Sequence, residues 1–544
     1  MAMQHNPVSS SDAPWWRRSV VYQVYIRSFA DGNGDGCGDI TGLLQRLDYL
    51  DRLGVDALWI NPWYPSPLKD GGYDVADYRD IEPQFGTLAQ AEELIASANA
   101  KGIKIIVDLV PNHTSDAHEW FVQALASAPE SVERDRYVFR RGTGLDATSP
   151  PTDWQSVFGG PAWTAVDDGW WYLHLFDTSQ PDLNWENPEV RDEFESVLKF
   201  WLDRGVDGFR IDVAHGLVKD QAFPDIGEES ELLTSSLQEN HPHWDRDGVH
   251  EIIRGWRSVL DQYQDKMMVA EAWVRPERLP LYLRPDEYHQ SFNFDLLEAT
   301  WTAASFRGII DNATTAATAV GASSTWVLSN HDVMRHVTRY GLPLGTDWRR
   351  WPVDGPHDVL DVELGVRRAR AAILITLALP GTAYIYQGEE LGLPEVWDLP
   401  LEVLDDPVWE RSGHTQKGRD GCRVPVPWER TGPSYGFGSG EPWLPQPAVF
   451  GEVSAAAQEN DQQSMLALYR TAIATRRANL VQDEQITLLD MGPDVLAFER
   501  GSGVVCITNF GSSPVELPTG QVLVTSVPIE ANVLPVDAGV WILT

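Results

Sequence analysis

Short apolar segments recur along the chain and alternate with longer segments in which apolar residues return every three or four positions. The first pattern predicts buried β-strands, and the second predicts amphipathic helices. Parallel strands joined by crossover helices produce this alternation, because each helix covers one face of the sheet. We predict eight strands, at 21–29, 57–61, 103–110, 208–212, 267–271, 291–294, 325–328 and 383–387.

The segments between these strands indicate how the chain is divided. Helical segments at 40–54 and 87–102 each end on glycine, which readily adopts the left-handed conformation that closes a helix. The alternation breaks at 114–184, a segment rich in Trp, Gly and Pro. After a helical segment at 464–480, short alternating segments predict a small antiparallel β domain.

The predicted fold class is therefore α/β, with enough strands to close a (β/α)8 TIM barrel. The barrel is expected in two parts, 14–113 and 185–480, separated by an inserted subdomain at 114–184 after the third strand. A C-terminal antiparallel β domain is expected at 481–544. A chain of 544 residues exceeds what one hydrophobic core usually supports, which agrees with several structural units.

Composition and charge limit the kinds of molecule that the protein is expected to bind. The chain has 80 acidic and 42 basic residues, and its net charge of −38 disfavours nucleic acid and anionic membranes and favours a neutral substrate. The 3 cysteines, Cys37, Cys422 and Cys506, are widely spaced and predict no disulfide framework. The first residues lack a signal-peptide pattern, and the longest apolar stretch, 371–381, is too short to span a bilayer. We therefore expect a cytoplasmic protein.

Four of the apolar segments end in acidic or histidine residues: IIVDLVPNH, GFRID, MVAEAW and WVLSNHD. Because the carboxyl ends of parallel barrel strands meet at one face, Asp212, Glu271 and Asp332 are expected to lie close together. A single acid at a strand end often only caps the following helix. Three such acids, with Arg210 on the same strand face as Asp212, favour a catalytic site instead.

Paired carboxyl groups are suited to the cleavage of glycosidic bonds. A retaining glycosidase needs one carboxylate as nucleophile and one carboxyl group as acid, about 5 Å apart. Arg210 would keep Asp212 ionised and ready to attack. The apolar neighbours of Glu271 would favour its protonated form, which a general acid requires.

The four segments, in this order, resemble the four signature regions of the α-amylase superfamily of glycoside hydrolases. The segments VYQVYIRSF, GYDVADYRDI, FGGPAW and QPDLNWENP are similar to those of bacterial α-glucosidases and oligo-1,6-glucosidases. The resemblance covers most of the chain. It implies that Asp212 is the nucleophile, Glu271 the general acid/base and Asp332 the stabiliser of the transition state, with Arg210 supporting the nucleophile.

The same resemblance assigns residues around the substrate. It implies that His113 and His331 bind hydroxyl groups of the sugar in the −1 subsite. Asp70, in KDGGYDVADY, would pair with Arg419, in QKGRDGCR, to grip the non-reducing end of the terminal glucose, while Tyr73 stacks on its ring. A pocket closed in this way implies an exo-acting enzyme.

Val213, directly after the implied nucleophile, bears on linkage preference. In the enzymes that the chain resembles, this residue tends to be Val where α-1,6 bonds are cleaved and Thr or Ala where α-1,4 bonds are preferred. The following segment, AHGLVKD at 214–220, is closer to actinobacterial-type α-glucosidases that act on maltose. Both linkages therefore stay open.

A candidate metal-binding loop follows the first strand. The segment DGNGDGCGD carries side-chain oxygens at Asp31, Asn33, Asp35 and Asp39. This spacing is typical of the first half of a calcium loop, but Gly42 stands where an EF-hand requires Glu, which excludes an EF-hand. Oligo-1,6-glucosidases carry a divalent-metal loop here, and the resemblance implies the Cys37 carbonyl as a further ligand. We predict a structural Ca²⁺ or Mg²⁺ remote from catalysis, with a solvated acidic turn as the alternative.

The leading hypothesis is an exo-acting retaining α-glucosidase that releases glucose from short α-glucosides of maltose or isomaltose type through a glucosyl-Asp212 intermediate. The first alternative is a transglucosidase or glucosyl isomerase, trehalose synthase-like or sucrose-acting, which differs in its acceptor. A non-catalytic relative, such as the ectodomain of an amino-acid transporter subunit, is disfavoured because all three acids are present. We expect a small-molecule α-glucoside as partner and a monomer or weak homo-oligomer.

Overall fold

The structure, a computed structural model, describes residues 13–227, 238–480 and 484–544. Its strands, in chain order, are β1 (Val20–Val24), β2 (Ala57–Ile60), β3 (Lys104–Leu109), β4 (Phe139–Arg141), β5 (Trp163–Ala165), β6 (Trp170–Leu173), β7 (Gly208–Ile211), β8 (Met267–Ala270), β9 (Gln290–Ser291), β10 (Thr325–Val327), β11 (Thr382–Tyr386), β12 (Ile486–Leu489), β13 (Val495–Arg500), β14 (Val504–Asn509), β15 (Val515–Glu516), β16 (Gln521–Thr525), β17 (Val533–Leu534) and β18 (Ala538–Leu543).

The α-helices lie mainly between the barrel strands. They are α1 (Ile40–Leu53), α2 (Leu88–Ala100), α3 (Glu119–Ala126), α4 (Pro188–Asp203), α5 (Val249–Leu260), α6 (Leu279–Tyr282), α7 (Phe294–Leu297), α8 (Ala303–Ala319), α9 (His336–Gly341), α10 (Trp351–Asp354), α11 (Val362–Ala378), α12 (Val408–Arg411), α13 (Phe450–Val453), α14 (Ala455–Gln458) and α15 (Met465–Asn479). Within the described part of the chain, none of these helices is both long enough and apolar enough to cross a lipid bilayer.

Eight parallel strands form the barrel that the sequence pattern predicts. Their order is β10, β11, β1, β2, β3, β7, β8 and β9, with neighbouring strands joined by backbone hydrogen bonds. A side chain bridges β9 and β10: the Thr325 hydroxyl donates to the Ser291 carbonyl at 2.7 Å and accepts the Asn293 N–H at 3.1 Å. Together with the antiparallel C-terminal sheet, this nearly closed barrel confirms the predicted fold class.

The barrel strands are continuous apolar segments because both of their faces are buried. Every residue of β1, β2, β7, β8 and β11 is buried. Side chains such as Trp59, Met267 and Tyr384 pack together in one cluster, whereas the other strand faces pack in the larger core with the helices. Because the strand side chains are used for packing, a ligand can be bound only by groups at the ends of the strands.

Two predicted boundaries near the start of the barrel were wrong. The strand expected at 21–29 ends at Val24, and Ile26–Ser28 forms a 3-10 helix because the Ser28 N–H bonds to the Tyr25 carbonyl rather than to another strand. Helix α2 has Lys101 as its C-cap, and Gly102 follows with a φ of 79°. Local turns therefore end both strand β1 and helix α2.

The strand expected at 291–294 was also wrong in length. β9 contains only two residues. The Asn293 side chain accepts the Leu296 N–H and so caps α7, which begins immediately afterwards. The apolar pattern of this segment predicts a strand, but the capping hydrogen bond of Asn293 starts a helix there instead.

Three further sheets lie outside the barrel in the described residues, one of them the two-stranded sheet β15–β17. Between β3 and α4, within the segment predicted as an insertion, the chain forms the three-stranded sheet β4–β6–β5. The C-terminal sheet has the order β12–β13–β14–β18–β16 and packs on α11, where Trp541 Nε1 donates to the Leu374 carbonyl at 2.9 Å. The predicted first residues of this domain, 481–483, lie outside the described residues.

Candidate active site

The C-terminal ends of the barrel strands open into one pocket. The predicted catalytic residues Asp212, Glu271 and Asp332 line it. It is also lined by most of the predicted substrate-binding residues: Asp70, Tyr73, His113, Val213, His331 and Arg419. The remaining predicted residue, Arg210, is 2 % exposed and contacts the carboxylates from behind the pocket wall. The tertiary structure thus brings all of these residues together.

One guanidinium group joins the carboxylates of Asp212 and Glu271. Arg210 Nη1 donates to Asp212 Oδ1 at 2.5 Å, and Nη2 donates to Glu271 Oε2 at 2.7 Å. Nη1 also donates at 3.0 Å to Asp108 Oδ1, a buried acid in β3. The Val213 N–H donates to the same Glu271 oxygen at 3.1 Å. Arg210 therefore holds the two carboxylates in a defined position relative to each other.

Burial raises the pKa of two of the acids that Arg210 contacts, Asp212 and Asp108. Burial raises the pKa of Asp212 well above its ordinary value, opposed by the Arg210 cation and reinforced by the Glu271 carboxylate. Burial likewise raises the pKa of Asp108 to about 6, against the attraction of Arg210. The Glu271 carboxyl group contacts the same Arg210 guanidinium as Asp212, so the site places two carboxyl groups side by side. One attacking carboxylate and one proton-donating carboxyl group are what retaining cleavage of a glycoside needs.

Asp332, on the loop after β10, has a different electrostatic environment. It accepts hydrogen bonds from Arg419 Nη1 at 3.3 Å and from Arg423 Nη2 at 3.2 Å. Burial would raise the pKa of Asp332, but His331 and these two guanidinium groups lower it well below its usual range. Asp332 therefore stays negative at a lower pH than an ordinary aspartate, whereas the pKa of Asp212 is raised.

A hydrogen-bond chain beneath the pocket sets the tautomer of His331. Gln23 Nε2, in β1, donates to His331 Nδ1 at 2.7 Å and to Asn61 Oδ1 at 3.0 Å. Burial lowers the pKa of His331, so the ring is neutral, and its proton lies on Nε2, 3.2 Å from Asp332 Oδ2. Asn61 Nδ2 donates to the Tyr73 hydroxyl at 2.7 Å, and the Tyr73 ring stacks on His331 at 5.2 Å between centroids.

A buried ion pair closes one end of the pocket. Arg419 Nη2 donates to Asp70 Oδ1 at 2.6 Å, and the two side chains are only 7 % and 4 % exposed. Asp406 accepts from Arg419 Nε at 2.7 Å, and Gln180 Nε2 donates to Asp70 Oδ2 at 2.9 Å. Gln180 Nε2 also lies 3.1 Å from Nε2 of His113, whose pKa burial lowers to about 4. Because this ion pair blocks one end of the pocket, a polysaccharide cannot pass through it, and the pocket suits the end of a sugar chain.

Most of the chain is similar to known glycoside hydrolases. The family model described as alpha amylase, catalytic domain, matches residues 23–484. The chain belongs to this family. An oligo-1,6-glucosidase of Parageobacillus thermoglucosidasius is 36% identical over 534 residues, which cover 91% of this chain and 90% of the relative. A probable α-glucosidase of Rhizobium meliloti (strain 1021) is 37% identical, covering 95% and 94%. A crystal structure of an α-glucosyl transfer enzyme has a TM-score of 0.84 at 33% identity and covers 98% and 99%.

Membership of the α-amylase family confirms the resemblance carried by the four strand-end segments. The structure adds polar residues to the site that the sequence analysis missed: Gln23, Asn61, Asp108, Gln180, Asp406 and Arg423. A polar residue inside an apolar strand could have marked Gln23 and Asp108. By contrast, Asp406 and Arg423 lie in loops, where the apolar pattern carries no such signal.

Val213 has an unusual backbone conformation for a β-branched residue. Its φ is 45°, in the left-handed region that such residues rarely adopt. A strained backbone of this kind costs on the order of 1–3 kcal/mol and persists only where its surroundings enforce it. Here the strained residue is 6 % exposed and directs its N–H at Glu271, so the strain lies next to a predicted catalytic carboxyl group.

The rest of the pocket is mainly apolar and aromatic. Its lining includes Val157, Phe158, Phe176, His215, Trp273, Val333, Trp348 and Arg349. His215 stacks on Trp244 at 5.1 Å between centroids, and burial lowers the pKa of His215 to about 4. A largely apolar and aromatic lining suits an uncharged substrate.

The predicted metal-binding loop lies between β1 and α1. The N–H groups of Asn33, Asp35 and Cys37 donate to the side chains two residues earlier, at 3.1, 2.8 and 2.9 Å. Asp39 accepts the Gly42 N–H at 2.6 Å and is the N-cap of α1. Oxygen donors of this type suit Ca²⁺ or Mg²⁺. Across residues 13–227, 238–480 and 484–544, no group of three or more His, Cys, Asp and Glu side chains is arranged to hold a metal, so the ligand set stays a prediction.

Proposed function

We propose that this α-amylase family protein is an exo-acting retaining α-glucosidase that releases glucose from the non-reducing end of short α-glucosides. One observation carries the proposal: the buried Asp70–Arg419 pair closes the pocket that Asp212 and Glu271 line. A pocket of this kind accepts a chain end and presents its first glycosidic bond to the two carboxyl groups. Similarity to an oligo-1,6-glucosidase and a probable α-glucosidase supports the same class of substrate.

In the first step, Glu271 donates a proton to the glycosidic oxygen while a carboxylate oxygen of Asp212 bonds to C1 of the terminal glucose. The bond between C1 and the glycosidic oxygen breaks, and the leaving sugar departs with the proton. The negative charge of Asp332 stabilises the positive charge that develops on the ring. Neutral His113 and His331 bind sugar hydroxyl groups without adding charge.

In the second step, water attacks C1 of the glucosyl-Asp212 ester. Glu271, now ionised, takes the proton of the water, and Asp212 leaves as a carboxylate. Two inversions at C1 give glucose with the α configuration retained. Arg210, bonded to both carboxylates, stabilises whichever of them is negative at each stage.

Product analysis tests this proposal. The substrates are p-nitrophenyl α-glucoside, maltose, isomaltose, kojibiose, nigerose, sucrose and trehalose, with NMR to identify the anomer formed first. We expect glucose from chain ends, formed first as the α anomer, and at least about 10⁴-fold lower kcat in a folded Asp212→Asn variant. A protein that leaves every substrate untouched, or that forms β-glucose first, contradicts the proposal.

We propose further that Val213 contributes to linkage preference. It lines the pocket beside Glu271, and its strained backbone leaves little freedom to move. Val213→Thr is the closest change in shape, because it replaces one methyl group with a hydroxyl group. A shift in the ratio of maltose to isomaltose cleavage in this variant supports the role, whereas an unchanged ratio rejects it.

A second candidate function is transfer of glucose to another sugar, as a transglucosidase or glucosyl isomerase. Structural similarity to an α-glucosyl transfer enzyme favours it. The chemistry at Asp212 would be the same, and only the acceptor in the second step would change from water to a sugar hydroxyl group. Chromatography of maltose and sucrose digests separates the two functions, because new disaccharides should outnumber free glucose if transfer dominates.

We also propose a structural Ca²⁺ or Mg²⁺ in the loop of Asp31, Asn33, Asp35 and Asp39, with the Cys37 carbonyl as a further ligand. The oxygen-rich side chains and the consecutive turns of the loop support this. The cation would stabilise the fold and take no part in the reaction. We further propose a cytoplasmic location, supported by three buried cysteines that are free thiols, and a monomer or weak homo-oligomer.

A further inference from the structure

A second cavity, the basal cavity, lies at the opposite end of the barrel from the catalytic pocket. It has a volume of about 390 Å³ and lies where β1, β2 and β3 begin, against the last turns of α15. A volume of this size can hold a small molecule. Its lining shares no residue with the catalytic pocket. A ligand bound in the basal cavity therefore does not compete directly with a substrate.

The charges around the basal cavity favour an anion. Five charged residues line it, of which four are cations and one is an acid: Arg18, Lys104, Arg476, Arg477 and Asp56. The whole chain has the opposite balance, with 80 acidic and 42 basic residues. Lys104 pairs with Asp207 at 3.0 Å and Arg477 pairs with Asp56 at 2.7 Å, which compensates part of the positive charge. A local excess of cations remains, and it attracts anions.

Arg476 is a buried cation without a carboxylate partner. Its side chain is 3 % exposed, and its terminal nitrogens donate to three backbone carbonyls between Leu377 and Gly381. In the part of the chain that the structure describes, no carboxylate forms an ion pair with it, and its Nε–H has no hydrogen-bond partner. Burial and the neighbouring Arg500 lower the pKa of Arg476 to about 9, which Asp56 opposes. An anion beside this guanidinium group would supply the missing counter-charge.

We propose that the basal cavity binds a phosphate group, either as the free ion or as part of a small phosphate ester. Arginine and lysine side chains bind phosphate well, because their N–H groups donate charge-assisted hydrogen bonds to its oxygens. A phosphate monoester carries about two negative charges at neutral pH, which suits a cavity with an excess of cations. Because the lining comes from the first three barrel strands and from α15, a bound phosphate would also stabilise the contact between them.

Isothermal titration calorimetry of the full chain tests the proposal, with inorganic phosphate and glucose 6-phosphate as probes. Sodium chloride at the same ionic strength controls for screening of the surface charges. We expect saturable binding of one phosphate group per chain and no saturable binding of chloride. Tighter binding of glucose 6-phosphate than of inorganic phosphate identifies an ester as the ligand, whereas equal or weaker binding identifies the free ion.

Two substitutions in the basal cavity should change the affinity in opposite directions. Arg477→Gln removes a cation, so the dissociation constant of inorganic phosphate should rise about tenfold. Asp56→Asn removes the acid but keeps an oxygen that can accept the Val20 N–H, now bonded at 2.8 Å. Without this repulsion the dissociation constant should fall about threefold or more. Lys199→Gln, in α4 and outside the cavity, removes the same charge as Arg477→Gln and should leave the affinity unchanged.

The outcomes separate a phosphate site from a purely structural cluster of cations. Opposite changes in Arg477→Gln and Asp56→Asn, with wild-type affinity in Lys199→Gln, support the site. Any result in which the first two variants do not change in opposite directions overturns it. Wild-type protein that shows no saturable binding of either probe overturns it as well, without recourse to a variant. Arg477 is half-exposed, so its variant should fold, and the melting temperature without phosphate checks this.

Discussion

Arg419 donates to Asp70 at 2.6 Å, and both side chains are almost fully buried at the closed end of the pocket. The same guanidinium also pairs with Asp406 at 2.7 Å and with Asp332 at 3.3 Å. One cation thus compensates three carboxylates. Because two of them belong to the closed end and the third is a predicted catalytic acid, Arg419 links the closed end of the pocket to Asp332.

Replacement of Arg419 by Met should lower both activity and stability. The variant leaves buried carboxylates uncompensated, which costs about 3–5 kcal/mol of unfolding free energy. Loss of the contact with the sugar end should lower kcat/KM for maltose by about 100-fold or more. Urea denaturation and steady-state kinetics measure the two effects. Arg477→Met removes a half-exposed partner of Asp56 and should cost less than about 1 kcal/mol; equal losses in the two variants would argue against the role of Arg419.

Replacement of Gln23 by Met should impair catalysis without unfolding the protein. The side chain keeps its length but no longer donates to His331 Nδ1, so the ring is no longer restricted to the tautomer with its proton on Nε2. We expect kcat to fall by about tenfold or more, since this proton faces Asp332. Nitrogen NMR of the histidine rings identifies the tautomer of His331 directly. Wild-type kcat together with an unchanged His331 tautomer would contradict this prediction.

Glu389 should make the protein less stable as the pH rises. Burial raises the pKa of Glu389 from its ordinary value of 4.5 to about 8, so in this interval the folded state holds a proton that the unfolded chain has lost. Unfolding then releases a proton, and stability falls with increasing pH between these two values. The loss amounts to a few kcal/mol, at about 1.4 kcal/mol for each unit of pKa shift.

A neutral side chain at position 389 tests this pH dependence. Glu389→Gln can still bond to the Tyr469 hydroxyl and the Tyr386 N–H, which contact the carboxyl group now. Its melting temperature should therefore vary less with pH between 4.5 and 8 than that of the wild type. Glu402→Gln, at an exposed position, is the control and should follow the wild type. If the melting temperatures of all three proteins vary with pH in the same way, Glu389 does not cause the pH dependence.

Removal of divalent cations should lower thermal stability more than turnover. A cation that binds only the folded state stabilises it by about 2.7 kcal/mol at 100 times its dissociation constant. We expect EDTA to lower the melting temperature, Ca²⁺ or Mg²⁺ to restore it, and the response to disappear in Asp35→Ala. Asp146→Ala, an exposed acid outside the loop, should keep the response. A wild-type melting temperature that ignores both chelator and cation would leave the solvated acidic turn as the better interpretation.

The barrel and its acids could be predicted because they depend on local sequence. Apolar strands have a recognisable period, and parallel strands necessarily deliver their carboxyl ends to one face of a barrel. Asp212, Glu271 and Asp332 follow from this rule together with the family resemblance. Prediction was weaker where a capping side chain determined whether a segment forms a strand or a helix. Asn293 starts α7 inside a segment whose residues otherwise favour a strand.

By itself, the sequence determined the α/β barrel, the C-terminal sheet and the acids at the strand ends. Only the tertiary structure decided which groups contact these acids and the histidine beside one of them: Arg423 reaches Asp332 across 91 positions, and Gln23 reaches His331 across 308. It also placed Trp273 against Phe294 beside Glu271. The physical reason is that periodicity describes how one segment buries its own apolar side chains. Contacts between distant polar groups arise only when the barrel closes and its loops pack over the strand ends.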